Sequence, residues 1–113
     1  MDEKMTYKLT VRLFRDGKCF GPGIAELLRR VDATHSLRAA SLGMGMAYSK
    51  AWRIMKETEA QLGFRLLHST TGGHNGGGAE LTAEGRAMLE KYEVFLRALQ
   101  SEADKQLEWI FGN

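Results

Sequence analysis

Between Thr71 and Ala79 the chain reads Gly72-Gly73-His74-Asn75-Gly76-Gly77-Gly78, five glycines in seven residues. No regular helix or packed strand is favoured through such a stretch, because glycine loses more backbone freedom on ordering than any other residue. It reads as a loop between two strands. Phe64–Thr71, with Leu66 and Leu67, leads in, and Ala79–Leu81 returns. Thr82 then caps a helix with Gly85 in its first turn and no later breaker to about Ile110. Its apolar residues Met88, Tyr92, Phe95 and Leu99 step by four, three and four, and Ala103, Leu107 and Ile110 extend the stripe.

Upstream, Lys8–Arg15 alternates polar and apolar, so Leu9, Val11 and Leu13 are expected on one face of a half-buried strand. Asp16-Gly17 is a hairpin pair, and Lys18-Cys19-Phe20 can return. Gly21-Pro22 ends that strand, with Pro22 suited to the first position of a helix. Ile24, Leu27, Leu28 and Val31 predict a helix over 22–34, closed at His35. Ser36 caps a short second helix, Leu37–Met44, whose Ala39, Ala40 and Ser41 let another helix approach closely. Gly45 suits the positive φ that ends it. A third helix is expected from about Ala47 to Leu62, stopped by Gly63. On it Tyr48, Ala51, Trp52, Met55 and Leu62 form an apolar face, which places Trp52 in the core. No linker or repeat divides the 113 residues, so one domain over 1–113 is expected, with 82–110 as its long last helix.

The fold class this order predicts is mainly α with small β: a winged helix-turn-helix with an N-terminal β-hairpin and a long C-terminal dimerisation helix. Its chemistry is that of duplex DNA recognition, since a major groove admits a helix. Ser49, Lys50 and Arg53 on the third helix are the expected contacts to base edges and phosphates, with Ser36, Arg38, Tyr48 and Lys56 beside them. The wing is expected to add Thr70, Thr71, Gly72, Gly73, His74, Asn75 and Gly76, whose glycine amides can meet phosphate oxygens without side-chain obstruction. Protonation of His74 is expected to tighten the grip as pH falls through about 6.5. Met88, Leu89, Tyr92, Phe95, Leu96, Leu99 and Leu107 are the expected homodimer interface.

Charge agrees in sign. From Lys8 to Leu81 there are eleven Lys and Arg against six Asp and Glu, and the rest of the chain is slightly acidic. No apolar run is long enough for a membrane span, and MDEKMTYK lacks the basic-then-apolar pattern of a secretory signal. The single cysteine, Cys19, excludes an internal disulfide framework, fits a reducing cytosol and is expected to be buried in the hairpin. A cytoplasmic protein, nucleoid-associated if bacterial, is the expectation. An enzyme fits poorly. The glycine loop lacks the GK[ST] ending that puts a lysine on a nucleotide phosphate. His35, His68 and His74 have no ligand partners at metal spacing, so neither a cofactor nor a metal is expected. The competing class is a protein-interaction module with a weak or vestigial DNA face.

Ala39-Ala40, Gly45-Met46-Ala47-Tyr48-Ser49-Lys50-Ala51-Trp52, Thr71-Gly72-Gly73-His74-Asn75-Gly76-Gly77-Gly78-Ala79-Glu80-Leu81-Thr82 and Phe20-Gly21-Pro22-Gly23 together resemble the N-terminal domain of the molybdate-responsive, ModE-type transcriptional regulators. The resemblance covers about residues 7–100. More distantly the chain is similar to the LysR-type winged helix. The resemblance implies a winged helix-turn-helix whose last helix packs against a second copy to form a DNA-binding dimer. Three places in the chain depart from the family's habit. His74-Asn75 stand where a basic residue usually sits, His68 and Ser69 stand where an arginine is common, and Ala47 stands where a serine often caps. Nothing after Gly85 resembles the family's C-terminal oxyanion-binding domain, so no molybdate binding is expected of these residues.

Overall fold

The computed structural model describes residues 4–70 and 78–112. Chain order is β1 (Leu13–Phe14), β2 (Lys18–Phe20), α1 (Pro22–Thr34), α2 (Leu37–Gly43), α3 (Tyr48–Leu62), β3 (Leu67–Thr70), β4 (Gly78–Leu81) and α4 (Ala83–Phe111). The strands form two separate antiparallel pairs, β1 with β2 and β3 with β4. No helix among the described residues is long and apolar enough to cross a membrane.

α1 forms where its apolar spacing predicts. Pro22 opens it, and Ile24, Leu27, Leu28 and Val31 are buried along one face. It ends at His35, which adopts a left-handed conformation (φ 58°) and donates its backbone N–H to the Val31 carbonyl at 2.7 Å. α2 packs across α1, capped by Ser36, whose Oγ accepts from the Ala39 N–H at 3.0 Å. It stops one residue before the expected Met44, and Gly45 supplies the positive φ (67°) for the turn into α3. α3 packs on α1, α2 and the N-terminal hairpin, with Ala51, Met55 and Leu62 buried.

The N-terminal strand is far shorter than its alternation predicts. Val11 and Leu13 are partly buried against the core and Leu9 is exposed, as the alternation requires in part, yet only Leu13 and Phe14 pair. The return strand has three residues, and an irregularity between Leu13 and Phe14 breaks the register, so residues 8–12 have no ladder partner. They run instead beside α4, where the Tyr92 hydroxyl donates to the Val11 carbonyl at 2.7 Å and the Tyr7 hydroxyl meets the Asp104 carboxylate at 2.6 Å. Cys19 is buried in the hairpin, as expected.

Two residues assigned to the dimer interface belong to the protomer's own core. Leu89 and Tyr92 are 7% and 1% exposed. The Tyr92 ring meets Phe20 edge-on at 5.0 Å, and its burial raises the phenol above its ordinary range. Met88 and Leu96 also pack against this core. The cause is geometric: the first half of α4 is the lid over α1 and the hairpin, and a stripe on one helix cannot serve both a core and a partner along the same stretch. Beyond Leu96 the helix leaves the body, and Trp109, Ile110 and Phe111 are exposed.

Candidate nucleic-acid interface

Ala51 and Met55 point α3 inward, so the opposite side of its first two turns faces outward. There Ser49, Lys50, Arg53 and Lys56 are all exposed. Arg53 makes a loose pair with Glu57 one turn on (3.4 Å), with both side chains more than half exposed, a contact worth little. Among the described residues Lys50 has no carboxylate partner. Ala47 precedes the helix with no side-chain cap, leaving first-turn amides without an internal acceptor.

Trp52 is not in the core. It is 49% exposed, and Tyr48 is 38% exposed. Each successive residue turns about 100° round a helix, so Trp52 lands on the shoulder past Ala51 rather than beside it. Both aromatic residues line an open cleft of about 360 Å³ between the start of α2, α3 and the base of the β3–β4 hairpin. The Arg38 guanidinium lies 4.2 Å from the Tyr48 ring centre, and the Lys56 ammonium 5.5 Å from that of Trp52. Arg65 and His68 complete the cleft wall, and His68 faces Glu80 across the strands at 3.3 Å. The cleft thus joins Arg38, Tyr48 and Lys56, all expected contacts, to Trp52 and Arg65, which were not. For Trp52 the signal is the four-residue spacing Tyr48, Trp52, Lys56, which puts three large side chains in one row; Arg65, beyond the end of α3, has none. Ser36 is occupied as a cap and borders the same cleft.

The hairpin is clamped at its base. Leu67 pairs with Leu81, His68 with Glu80, Ser69 with Ala79 and Thr70 with Gly78. The Glu59 carboxylate of α3, nearly buried, accepts from the backbone N–H of Leu66 (2.7 Å) and of Leu67 (3.3 Å). On the other strand the Ala79 N–H donates to the His35 carbonyl at 2.9 Å. Thr70 lies in β3 at the wing's edge. Thr71, Gly72, Gly73, His74, Asn75 and Gly76 lie outside the described residues, as does the expected pH response of His74.

Glu59→Ala leaves two buried strand amides without an acceptor, at about 1–3 kcal/mol each. Glu59→Gln keeps one carbonyl oxygen, so thermal melts should show a clearly smaller loss for it. Equal loss in both variants would mean that the negative charge itself, not the acceptor, holds the strand.

A short helix pair joined by a glycine turn, then a two-stranded hairpin and a further helix, define a winged helix-turn-helix. Residues 25–86 match the bacterial regulatory helix-turn-helix proteins of the lysR family, and the chain belongs to that family. It is 29% identical over 100 residues to the DNA-binding transcriptional dual regulator ModE of Escherichia coli (strain K12), a match covering 88% of this chain and 36% of that one. With the transcriptional regulator ModE of Yersinia pestis it shares 31% over 99 residues, covering 88% and 35%. The chain therefore spans about a third of the length of these curated relatives. Among solved structures it is similar to the CbnR DBD–DNA complex (TM-score 0.55, 28% identity, 73% of this chain and 88% of that one). It is also similar to CbnR, a LysR family transcriptional regulator (TM-score 0.56, 27% identity, 74% and 27%). The ModE-type resemblance read from the glycine loop and the preceding helix is supported by these matches.

Proposed function

We propose that this chain is the DNA-reading part of a transcriptional regulator, placing α3 in the major groove and the β3–β4 wing against the neighbouring backbone. The observation that carries this reading is the outward row Ser49, Lys50 and Arg53 on the uncapped first turns of α3, continuous with the basic cleft of Arg38, Lys56 and Arg65. The similar CbnR structure in complex with DNA supports it. Arginine binds a guanine edge in bidentate fashion, and lysine neutralises phosphate or does so less rigidly. Genomic footprinting of the tagged protein, then salt titration on the recovered site, tests it. Affinity should fall with salt at a slope of about 0.9 per phosphate contact. No duplex binding at low salt would favour the protein-interaction module instead.

We further propose a homodimer formed through the part of α4 beyond the core. There Phe95 is 44% exposed and Leu99 is partly exposed, while Trp109 is 86% exposed. Leu107 lies about 120° round the helix from Phe95, toward the side that Tyr7 occupies, and is peripheral to this face. Sedimentation at micromolar concentration should give a dimer. A species that stays monomeric on concentration ends this reading.

A further inference from the structure

Arg38, Lys56, Arg65 and His68 all line the cleft beside α3, and they are not equally free. Lys56 lies 3.4 Å from the Glu59 carboxylate, and His68 faces Glu80 at 3.3 Å. Arg38 and Arg65 have no carboxylate partner among the described residues. Arg38 rests instead on an aromatic face, its guanidinium 4.2 Å from the centre of the Tyr48 ring. We infer that one DNA strand crosses this cleft, that Arg38 grips a phosphate of that strand, and that Tyr48 is the positioning residue that holds Arg38 ready for it. The inference rests on the duplex reading proposed above, and adds to it the path of one strand and the residue that aims its cation.

Duplex geometry sets the path. A helix in the major groove has a sugar–phosphate strand along each side of it. With the wing set against the neighbouring backbone, the strand on that side has to pass between α3 and the base of the β3–β4 hairpin. The cleft is the space between those two elements. Arg38 reaches it from α2 and Arg65 from the residues leading into β3, so each side offers an exposed cation. The one carboxylate in the cleft wall, Glu59, already accepts from the Leu66 and Leu67 N–H groups and has Lys56 beside it. A phosphate entering there meets no uncompensated negative charge. A free arginine samples many rotamers and loses them on binding, which lowers affinity by about two- to tenfold. The face of the Tyr48 ring attracts the guanidinium and stacks on its plane, so part of that ordering is complete before DNA arrives. Tyr48 is the first residue of α3 and Arg38 the second of α2, so the cation is aimed by the same helix that enters the groove.

The test uses the full chain on the duplex site recovered by footprinting, with salt titrations and with single phosphates replaced by uncharged methylphosphonates. Arg38→Ala should lower the salt slope by about 0.9. It should also remove the parent's sensitivity to neutralising one phosphate on the strand between the α3 and wing contacts. Tyr48→Leu keeps the cation and loses its support, so the slope should hold while affinity falls about two- to tenfold. Tyr48→Phe keeps the ring face and should bind as the parent does. In an Arg38→Ala background, Tyr48→Leu should cost nothing further. Both residues are exposed, so thermal melts of all these variants should stay level. A Tyr48→Leu loss that persists without Arg38, or a Tyr48→Phe protein as weak as Tyr48→Leu, would make Tyr48 a DNA contact in its own right and overturn the positioning role. Arg38→Ala with unchanged affinity and slope overturns the phosphate grip and leaves the reading by α3 standing. A parent chain that binds no duplex overturns both.

Discussion

Lys50→Ala/Arg53→Ala should abolish protection of the native operator while leaving the thermal melt unchanged. Both side chains are exposed on α3 and neither takes part in the core, so their loss falls on the interface alone. A base contact is worth about 1–3 kcal/mol of discrimination, so losing two such contacts costs affinity by tens- to thousands-fold. The single variants separate their roles. If Arg53 reads a base, Arg53→Ala relaxes specificity at one operator position. If Lys50 meets phosphate, Lys50→Ala weakens all sequences alike and lowers the salt slope by about 0.9. The Arg53–Glu57 pair must open for that reach, which costs little at such exposure. A double variant with unchanged footprint and salt dependence would remove α3 from the groove.

Gly85→Ala should be the most damaging glycine-to-alanine change among the described residues. The start of α4 is stitched onto the residues that lead into β3: the Thr82 N–H donates to the Leu66 carbonyl at 2.9 Å and the Thr82 hydroxyl to the Arg65 carbonyl at 2.6 Å. Gly85 then donates its N–H to the Thr82 Oγ1 at 2.8 Å and lies against Leu66, the residue just before the strand. A Cβ there would collide with the Leu66 carbonyl oxygen and sit 3.0 Å from the carbonyl carbon and Cα of the same residue. These are backbone atoms, which cannot swing aside as a side chain can. Overpacking of this kind costs about 1–3 kcal/mol, more than the roughly 1 kcal/mol that alanine gains over glycine in a helix. For a domain near this size each kcal/mol moves the melting temperature by about 4–8 °C. Gly23→Ala is the matched control. It lies in α1 with nothing within 4 Å of an added Cβ, so its melting temperature should stay level or rise. A Gly85→Ala protein as stable as its parent would mean that α4 lifts off β3 without cost.

The helices could be read from local chemistry because each carries its own punctuation. Pro22 opens α1, Ser36 caps α2, Gly45 turns the chain, Gly63 ends α3 and Thr82 caps α4. The strands could not, because a strand exists only where a partner lies beside it. Lys8–Arg15 has the right alternation and lacks the neighbour. For the site, the outward residues of α3 follow from periodicity. The cleft does not, since it depends on how closely the wing base approaches α3, and that spacing is set by Glu59 reaching strand amides seven and eight residues away. A glutamate in a charged helix reads as solvated surface until the strand is placed over it. Leu89 and Tyr92 were misassigned for a related reason: periodicity finds an apolar stripe and is silent on which body covers which part of it.

The clamps at the wing's base also bear on how such a protein diverges. β3 is fastened by a carboxylate of α3 and β4 by the backbone carbonyl of His35, both outside the segment between Thr70 and Gly78. Substitutions within that segment therefore leave every one of these fastenings in place. The composition of the loop can thus change without drawing on the stability of the scaffold. That freedom is denied to Glu59 and Gly85, which sit outside the loop and hold the entry into β3.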